Sequence, residues 1–420
     1  MSATARPGSR PVLRLRGHQR RIADALRLLG PATRADLASA TGLSRATVSG
    51  GLTALLEAGL VVETGEAAPA GPAGGRPPGM VRLGPEAGLA VGVDVGRTHL
   101  RVAVADVGHQ VLAEGASRLG PAVAAAQVLD RAAELVRAAV ADSGLAGHPV
   151  VGVGLGLPAP VELGSGRVAA PSVLPEWAGI AAGEELAARL DQPVLVDNDA
   201  NLGALAEYLW GAGRGCDPFV YIKAATGIGA GLVVRGRLFR GRSGLAGEIG
   251  HTTLDERGDV CRCGNRGCLD VVAGGPALVA ALHGTYAEVV SIDQVVALAV
   301  GGDPGARRVV ADAGAHLGVA AGSLVNVVNP QRLAVGGELG RAGAVLLDPL
   351  RQALARSSLR PAAEAVEVVE AELGERSEVL GAVAAVLLEP DRPRSSAPAG
   401  PLAATGGGAP VRNRRPVGAG

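Results

Sequence analysis

The sequence is short of aromatic residues. Only 2% of its 420 residues are Phe, Trp or Tyr, although 48% are apolar, so its cores must be filled by Val, Leu and Ala. Its uninterrupted apolar runs fall well short of the roughly 18 residues that span a bilayer. The N-terminus carries arginines but no apolar stretch typical of a secretory signal. These absences favour a soluble cytoplasmic protein with no membrane partner, and the length predicts two to three domains.

Cysteine is also rare: there are four, and three of them lie in "HTTLDERGDVCRCGNRGC" at 251–268. A secreted disulfide framework would need an even number of cysteines in a short chain, and a redox pair would need Cys-x-x-Cys. Three thiolates and an imidazole instead satisfy tetrahedral zinc, with incidental thiols as the alternative. The predicted ligands of a structural Zn²⁺ are His251, Cys261, Cys263 and Cys268. Four protein ligands leave no open position, so this ion would activate no water.

The net charge is zero, but the charges are unevenly distributed. Residues 1–82 carry eleven arginines and five acids (11 − 5 = +6), and the remainder has 29 basic and 35 acidic residues (29 − 35 = −6). Such asymmetry is typical of a nucleic-acid-binding arm on an acidic body. Charge alone leaves open the alternative of a solvated basic tail.

The pattern within the basic segment favours DNA binding. Apolar residues at helical spacing in 21–29 are followed in 33–63 by two short helices that break at Gly42, and strands at 59–63 and 74–83 would form a wing. An ordinary helical hairpin would not need this glycine turn. We therefore predict a flexible arm (1–17) and a winged helix-turn-helix (18–84) that binds a double-stranded DNA operator. The predicted DNA contacts are Ser44, Arg45, Thr47 and Ser49 in the major groove and Arg76 in the minor groove.

From residue 89 onward the chain reads as α/β. A strand, a glycine turn and a second strand occur near 89–106 and again near 219–241, which indicates an internally duplicated body with a nucleotide cleft between its halves. Each turn taken singly is more typical of a plain hairpin. The first turn offers Asp94, Gly96 and Thr98 to Mg²⁺ and phosphate, and the second offers Thr226, Gly227 and Gly229 to phosphate. Residues 390–420 lack periodicity and are predicted to be a disordered tail.

Together these motifs resemble the ROK family (repressors, open reading frames and kinases), and in particular its winged-helix transcriptional regulators. The resemblance covers residues 18 to about 389. It rests on "DVGRT" (94–98), "NDAN" (198–201), "ATGIGAG" (225–231), "AGEIGH" (246–251), "CRCGNRGCLD" (261–270) and "AVGG" (334–337). It implies a two-lobed, actin-like, hexokinase-type (ribonuclease-H-like) domain at 88–389 with a zinc loop at 248–270, and a homodimer or tetramer.

The resemblance also implies roles for individual residues. Asp199 matches the catalytic base of the family's kinases, which would need ATP and Mg²⁺, and Gly336 and Gly337 belong to the nucleotide side. The implied sugar ligands are Asn198, Asp199, Glu248, His251 and Asp270. His251 would bind zinc through one nitrogen and sugar through the other. A plain helix N-cap remains the alternative for Asn198 and Asp199.

The chain departs from the family pattern at three positions: Asp270 stands where Glu is usual, Ser172 where Asn is common, and Ala225 where a Gly is usual. Two functions follow. The first is a sugar-responsive transcriptional regulator of carbohydrate-metabolism genes, of the repressor type, whose effector is a sugar or sugar phosphate. The alternative is an ATP-dependent sugar kinase of the glucokinase type that carries a DNA-binding module.

Overall fold

The N-terminal unit contains three helices and a small antiparallel sheet. The computed structural model describes residues 15, 17–67, 79–120, 123–286, 288–389, 392, 394 and 395. The elements of this unit are α1 (Gly17–Leu29), β1 (Ala32–Thr33), α2 (Arg34–Thr41), α3 (Arg45–Glu57), β2 (Val61–Ala67) and β3 (Gly79–Leu83), with strand order β1-β3-β2. Ile22, Leu37 and Leu52, one from each helix, are fully buried in its core. This is the order of elements expected for a winged helix-turn-helix.

Capping residues set the angle between α2 and α3. Thr33 accepts a hydrogen bond from the backbone N–H of Asp36, and the Asp36 carboxylate accepts one from the backbone N–H of Thr33, which is a capping box. Gly42 ends α2 at φ 65°, a left-handed conformation that a side chain would disfavour. Ser44 then caps α3 by accepting from the N–H of Thr47 at 3.1 Å.

The rest of the chain folds into two lobes, each built on a five-stranded sheet. The first sheet has the order β6-β5-β4-β7-β8, and the second has the order β11-β10-β9-β12-β13. The strands of the first lobe are β4 (Leu89–Val95), β5 (His99–Asp106), β6 (Val111–Arg118), β7 (Val150–Leu157) and β8 (Val194–Asn198). Those of the second are β9 (Phe219–Ala224), β10 (Ile228–Val234), β11 (Arg237–Leu238), β12 (Arg332–Gly336) and β13 (Glu367–Glu370).

Helices cover both sheets. They are α4 (Ala125–Asp142), α5 (Ala182–Leu190), α6 (Asp199–Trp210), α7 (Leu269–Ala273), α8 (Gly275–His283), α9 (Ile292–Val300), α10 (Pro304–Val328), α11 (Gly337–Gly340), α12 (Ala344–Ser357), α13 (Arg360–Ala365) and α14 (Ser377–Leu388). Helix α14 packs against α6, β4 and β7, and α6 also packs against β9 and β10, so these two helices lie between the sheets. None of the helices in the described ranges is long and apolar enough to cross a membrane.

The two sheets repeat one pattern, as the sequence predicted. In each, an antiparallel three-stranded meander is extended by two parallel strands. Val95 pairs with Leu100 across the first hairpin and Ala224 pairs with Ile228 across the second. Asp94 on β4 and Lys223 on β9 each precede these paired residues by one position, so they are equivalent positions of the duplication.

The predicted boundaries need two corrections. Arg392, Arg394 and Ser395 belong to the predicted disordered tail, yet they bond to the first lobe: Arg392 pairs with Asp197, and Ser395 donates to the carbonyl oxygen of Val194. The composition of this segment indicated disorder, because composition does not reveal that Arg392 has a buried carboxylate as its partner in the fold. Within the predicted arm, Leu15 packs against the N-terminal core and α1 already begins at Gly17. Residues 1–14 and 396–420 lie outside the described residues.

Candidate functional site

A cleft between the lobes collects the residues predicted to bind sugar. Its lining includes Asn198, Asp199, Glu248, His251 and Asp270, together with Gly96, Thr226, Gly227 and Gly229 of the two glycine turns. Thr98 and Gly337 line an adjoining cavity of about 300 Å³, where the nucleotide was predicted to lie. Residues far apart in the sequence thus meet because both hairpin turns open toward the same cleft.

The end of β8 and the start of α6 hold Asn198 and Asp199. The amide oxygen of Asn198 accepts from the backbone N–H of Asn201 at 3.2 Å, and its NH₂ donates to the carbonyl of Ala159 at 3.0 Å. Asn198 is therefore the N-cap of α6, and its role as a sugar ligand stays a prediction. Asp199 lies at the first position of the helix, and its Oδ1 accepts from the N–H of Ala200 at 2.7 Å.

Lys223 is a residue of this site that the sequence reasoning missed. Its Nζ donates to Asp199 Oδ2 at 2.8 Å and lies 3.7 Å from Glu378 Oε1. Burial alone would lower the pKa of Lys223, but the three carboxylates around it raise that pKa well above its usual value, so the side chain is an ammonium. Lys223 is also the chain's only lysine, against 39 arginines, and this singular usage was the signal available in the sequence.

Asp94 is fully buried at the base of the first glycine turn. Its Oδ2 accepts from His99 Nε2 at 2.9 Å, while its Oδ1 has no hydrogen-bond partner among the described residues. Burial alone would raise the pKa of Asp94, but the bond with His99 and the nearby charge of Lys223 hold it below its usual value. Asp94, the carboxylate predicted to bind Mg²⁺ and phosphate, is therefore already hydrogen-bonded to a side chain of its own lobe.

Asp270 and Glu248 face the cleft from the loop side. Asp270 Oδ1 accepts from the backbone N–H of Ile228 at 2.7 Å and so fixes the second glycine turn. Burial, with the charges of Asp199 and Asp270, raises the pKa of Glu248 to about 7. Ser172 is exposed and does not line the cleft, whereas its neighbour Val173 does.

The predicted metal ligands converge beside the cleft. One donor atom from each of His251, Cys261, Cys263 and Cys268 lies within 4.8 Å of the others. The Sγ atoms of Cys263 and Cys268 are 3.7 Å apart, too far for a disulfide and close to the roughly 3.8 Å edge of a tetrahedron with 2.3 Å Zn–S bonds. His251 turns Nδ1 toward Cys261 Sγ at 3.7 Å, and the same residue lines the cleft. Gly267 permits the tight loop, because a Cβ there would lie 1.7 Å from the carbonyl oxygen of Asp255.

The adjoining cavity is lined by charges of both signs. Asp293, Glu338, Glu375 and Glu378 line it, against the basic residues Arg101, Arg118 and Lys223. Arg101 is also paired with Glu375, which links the two lobes across this cavity. Asp293 and Glu375 also pair with Arg341, so phosphate groups would meet charges of both signs here.

The predicted DNA-contacting residues lie on α3 and its cap. Ser44, Arg45 and Ser49 are exposed and Thr47 is half-buried, so the N-terminal end of α3 presents a polar face. Arg76 lies outside the described residues.

The N-terminal unit is packed against the first lobe and the two helices of the cleft. His109 Nε2 donates to the carbonyl oxygen of Arg27 on α1 at 2.6 Å, and its ring lies edge-on to Trp210, the last residue of α6, with centroids 5.6 Å apart. One continuous apolar cluster joins Ile22 and Leu26 of α1 to Val383 and Leu387 of α14. The two helices between the lobes, α6 and α14, therefore both contact the unit that carries α3.

A two-lobed α/β fold with a cleft of this composition defines the class of hexokinase-like sugar-binding domains, here joined to an N-terminal helical unit. Within that class the chain belongs to the ROK family, whose family model matches residues 90–389.

Individual proteins similar to this chain include regulators and kinases. The xylose repressor of Bacillus subtilis (strain 168) is 27% identical over 354 residues, covering 84% of this chain and 90% of that protein. A solved ROK family transcriptional regulator, a homologue of the Escherichia coli MLC protein, has a TM-score of 0.70 at 27% identity and covers 89% of this chain and 98% of its own. The ROK glucokinase of Streptomyces griseus, solved with glucose and AMPPNP, has a TM-score of 0.62 at 29% identity. The match covers 70% of this chain and 98% of the glucokinase chain.

Proposed function

We propose that the protein is a sugar-responsive, DNA-binding transcriptional regulator of the repressor type for carbohydrate-metabolism genes. The observation that carries this proposal is the shared packing of the N-terminal unit and the cleft helices. Helix α6 begins at Asp199 in the cleft and ends at Trp210 near His109 and α1. Its twelve residues span about 18 Å between these two ends.

This packing supplies a physical route from effector to operator. A sugar hydroxyl that bonds to Asp199 competes with Lys223 for the same carboxylate, and closure of the lobes moves α6 and α14 together because Glu207 of α6 accepts from Ser377 at 2.8 Å. The end of α6 lies near α1, and α14 shares an apolar cluster with α1, so a shift of either helix would re-aim α3. In a homodimer or tetramer such a shift re-spaces paired recognition helices on a palindromic operator.

The effector is proposed to be a sugar or sugar phosphate held by Asp199, Glu248, His251 and Asp270. The metal is proposed to be one structural Zn²⁺, because three thiolates and an imidazole suit it better than Mg²⁺ or Ca²⁺. The ion would fix the orientation of the His251 ring, whose other nitrogen is then free to bond to sugar. The similarity to a xylose repressor supports a sugar as the effector.

Sugar phosphorylation with ATP and Mg²⁺ is the second candidate. The position of Asp199 in the cleft favours it, as does the similarity to a glucokinase. One feature argues against it: Lys223 already occupies Asp199 Oδ2. A base whose lone pair is held by an internal ammonium is poorly placed to take a proton from a sugar hydroxyl.

The test of DNA binding starts from selection of fragments of the source genome by the purified protein. We expect a palindromic site with half-sites one or two helical turns apart, and an affinity that falls steeply as salt rises. Arg45→Ala should weaken specific binding by about 1–3 kcal/mol if Arg45 contacts a guanine. The exposed Arg308 of α10 provides the matched control, because Arg308→Ala removes a charge from the second lobe. Equal loss in both variants, or binding that ignores salt, would contradict the proposal.

A further inference from the structure

We infer that the Lys223 ammonium is a built-in cation that takes the place of a divalent metal ion among the carboxylates of Asp94, Asp199 and Glu378. The cleft would then hold a fixed positive charge where phosphoryl transfer would need an exchangeable one. This inference concerns the chemistry of the cleft and goes beyond the proposed function, since neither of its readouts involves DNA.

The arrangement of the carboxylates is the first reason. They come from β4, from the start of α6 and from the start of α14, and their shared neighbour is the Lys223 side chain. Its Nζ is 2.8 Å from Asp199 and 3.7 Å from Glu378, and its charge also acts on Asp94. Carboxylates brought together from separate elements are the usual ligands of a hard divalent cation.

The identity of the residue is the second reason. Thirty-nine of the forty basic residues are arginine, and the single lysine lies in this cluster, only 8% exposed. An ammonium is a compact point charge that donates in three directions, whereas a guanidinium is a wide planar fork. A small sphere of charge among several oxygens is the geometry that a metal ion would otherwise provide.

The state of Asp94 and Glu378 is the third reason. Asp94 Oδ1 is buried without a hydrogen-bond partner in the described part of the chain, so one acceptor of the cluster remains unused. Glu378 accepts from the Tyr221 hydroxyl at 2.9 Å, and burial, with the charges of Asp94 and Asp199, raises its pKa to about 7. One ammonium therefore does not saturate the cluster, and its removal would leave a strong site for a divalent cation.

The wild-type protein is tested first, with Mn²⁺ as the probe. Lysine labelled with ¹³C at Cε gives one side-chain NMR signal, because the chain has one lysine. A paramagnetic Mn²⁺ ion in the cleft would broaden that signal. We expect the signal to stay sharp in the zinc-loaded protein, and Mn²⁺-dependent broadening that Glu378→Gln abolishes would overturn the inference.

The second arm removes the ammonium. Lys223→Met leaves an unbranched, uncharged side chain that is one heavy atom shorter. The variant should bind one more Mn²⁺ per chain than the wild type, counted by electron paramagnetic resonance, and Mn²⁺ should raise its melting temperature. The double variant Lys223→Met, Glu378→Gln should lose most of that gain. Equal Mn²⁺ binding by wild type and Lys223→Met would contradict the inference. If Lys223→Met folds only with Mn²⁺, the inference is supported, and if it does not fold at all, the wild-type arm decides.

Discussion

The two halves of the cleft differ in how far their side chains are already committed. On the sugar side, Glu248 and His251 line the cleft beside the metal loop. On the phosphate side, His99 holds Asp94 and Arg101 is paired with Glu375, and between the two sides Lys223 holds Asp199, which is also a proposed sugar ligand. The sugar side presents polar groups that the neighbouring metal loop holds in place. On the phosphate side, the polar groups are already bonded to one another.

Under the proposed function, this difference suits the cleft to sensing rather than to phosphoryl transfer. Asp94 and Lys223 occupy equivalent positions of the duplicated hairpins, so a carboxylate in one lobe corresponds to an ammonium in the other. Their attraction across the cleft acts between the lobes without a nucleotide. A ligand that disturbs this pair alters how the lobes close, and that movement is the output a regulator needs.

The largest expected effect comes from removing the metal behind the sugar side. We expect about one zinc per chain by elemental analysis, and Cys263→Ser should lose it and melt at a much lower temperature, since zinc-binding free energy is folding free energy. The control is Cys216→Ser, a buried cysteine outside the ligand group that should keep the ion. Full metal content in Cys263→Ser would contradict the assignment of Cys263 as a metal ligand.

The next effect concerns the phosphate side. With hexoses, ATP and Mg²⁺, turnover should be at least about 10³-fold below the roughly 1–100 s⁻¹ typical of kinases, because the base is bound to Lys223. A coupled assay for ADP release measures it, and Asp199→Asn should cause no further loss. Kinase-like rates that Asp199→Asn abolishes would show that the phosphate side works as an active site.

A smaller effect should come from the tail that braces the sugar side. Burial alone would raise the pKa of Asp197, but Arg240 and Arg392 hold it below its usual value. Such a carboxylate stabilises the fold above a pH of about 4 and loses that contribution as the pH falls further. Arg392→Met should therefore lower the free energy of unfolding by about 1–3 kcal/mol at neutral pH, because Arg240 remains.

The pH dependence distinguishes this ion pair from simple packing. In denaturant unfolding, the stability of Arg392→Met should approach that of the wild type as the pH falls through the lowered pKa of Asp197, where this carboxylate becomes protonated. A constant difference across the pH range would mean that Arg392 acts through its apolar stem alone.

The smallest expected effect is the loss of sugar response in Glu248→Gln. The variant should bind operator normally without sugar, while the sugar-induced change in operator affinity, typically about 1–3 kcal/mol for coupled sites, should shrink. Fluorescence anisotropy of labelled operator measures both quantities. Glu134→Gln, an exposed change on α4, is the matched control, and an unaltered response in Glu248→Gln would remove that residue from the sugar side.

Much of this comparison could be predicted from the sequence, because its signals are local. Gly42 was recognisable as the break between two short helices, and the metal ligands by their rarity and clustering. Lys223 was not recognised, since a lysine within an apolar strand shows neither its burial nor the helix starts that it faces. The docking of Arg392 was missed for the same reason: its partner Asp197 lies 195 positions away.

The central claim is that sugar binding and DNA binding are coupled through α6 and α14. It is tested most directly by titrating sugar into the protein with and without a saturating operator fragment, in isothermal calorimetry. The account predicts that operator changes the sugar affinity by the same factor by which sugar changes the operator affinity, roughly 5- to 150-fold. Sugar affinity that is identical with and without operator, in a protein that turns over ATP and sugar rapidly, would contradict the account.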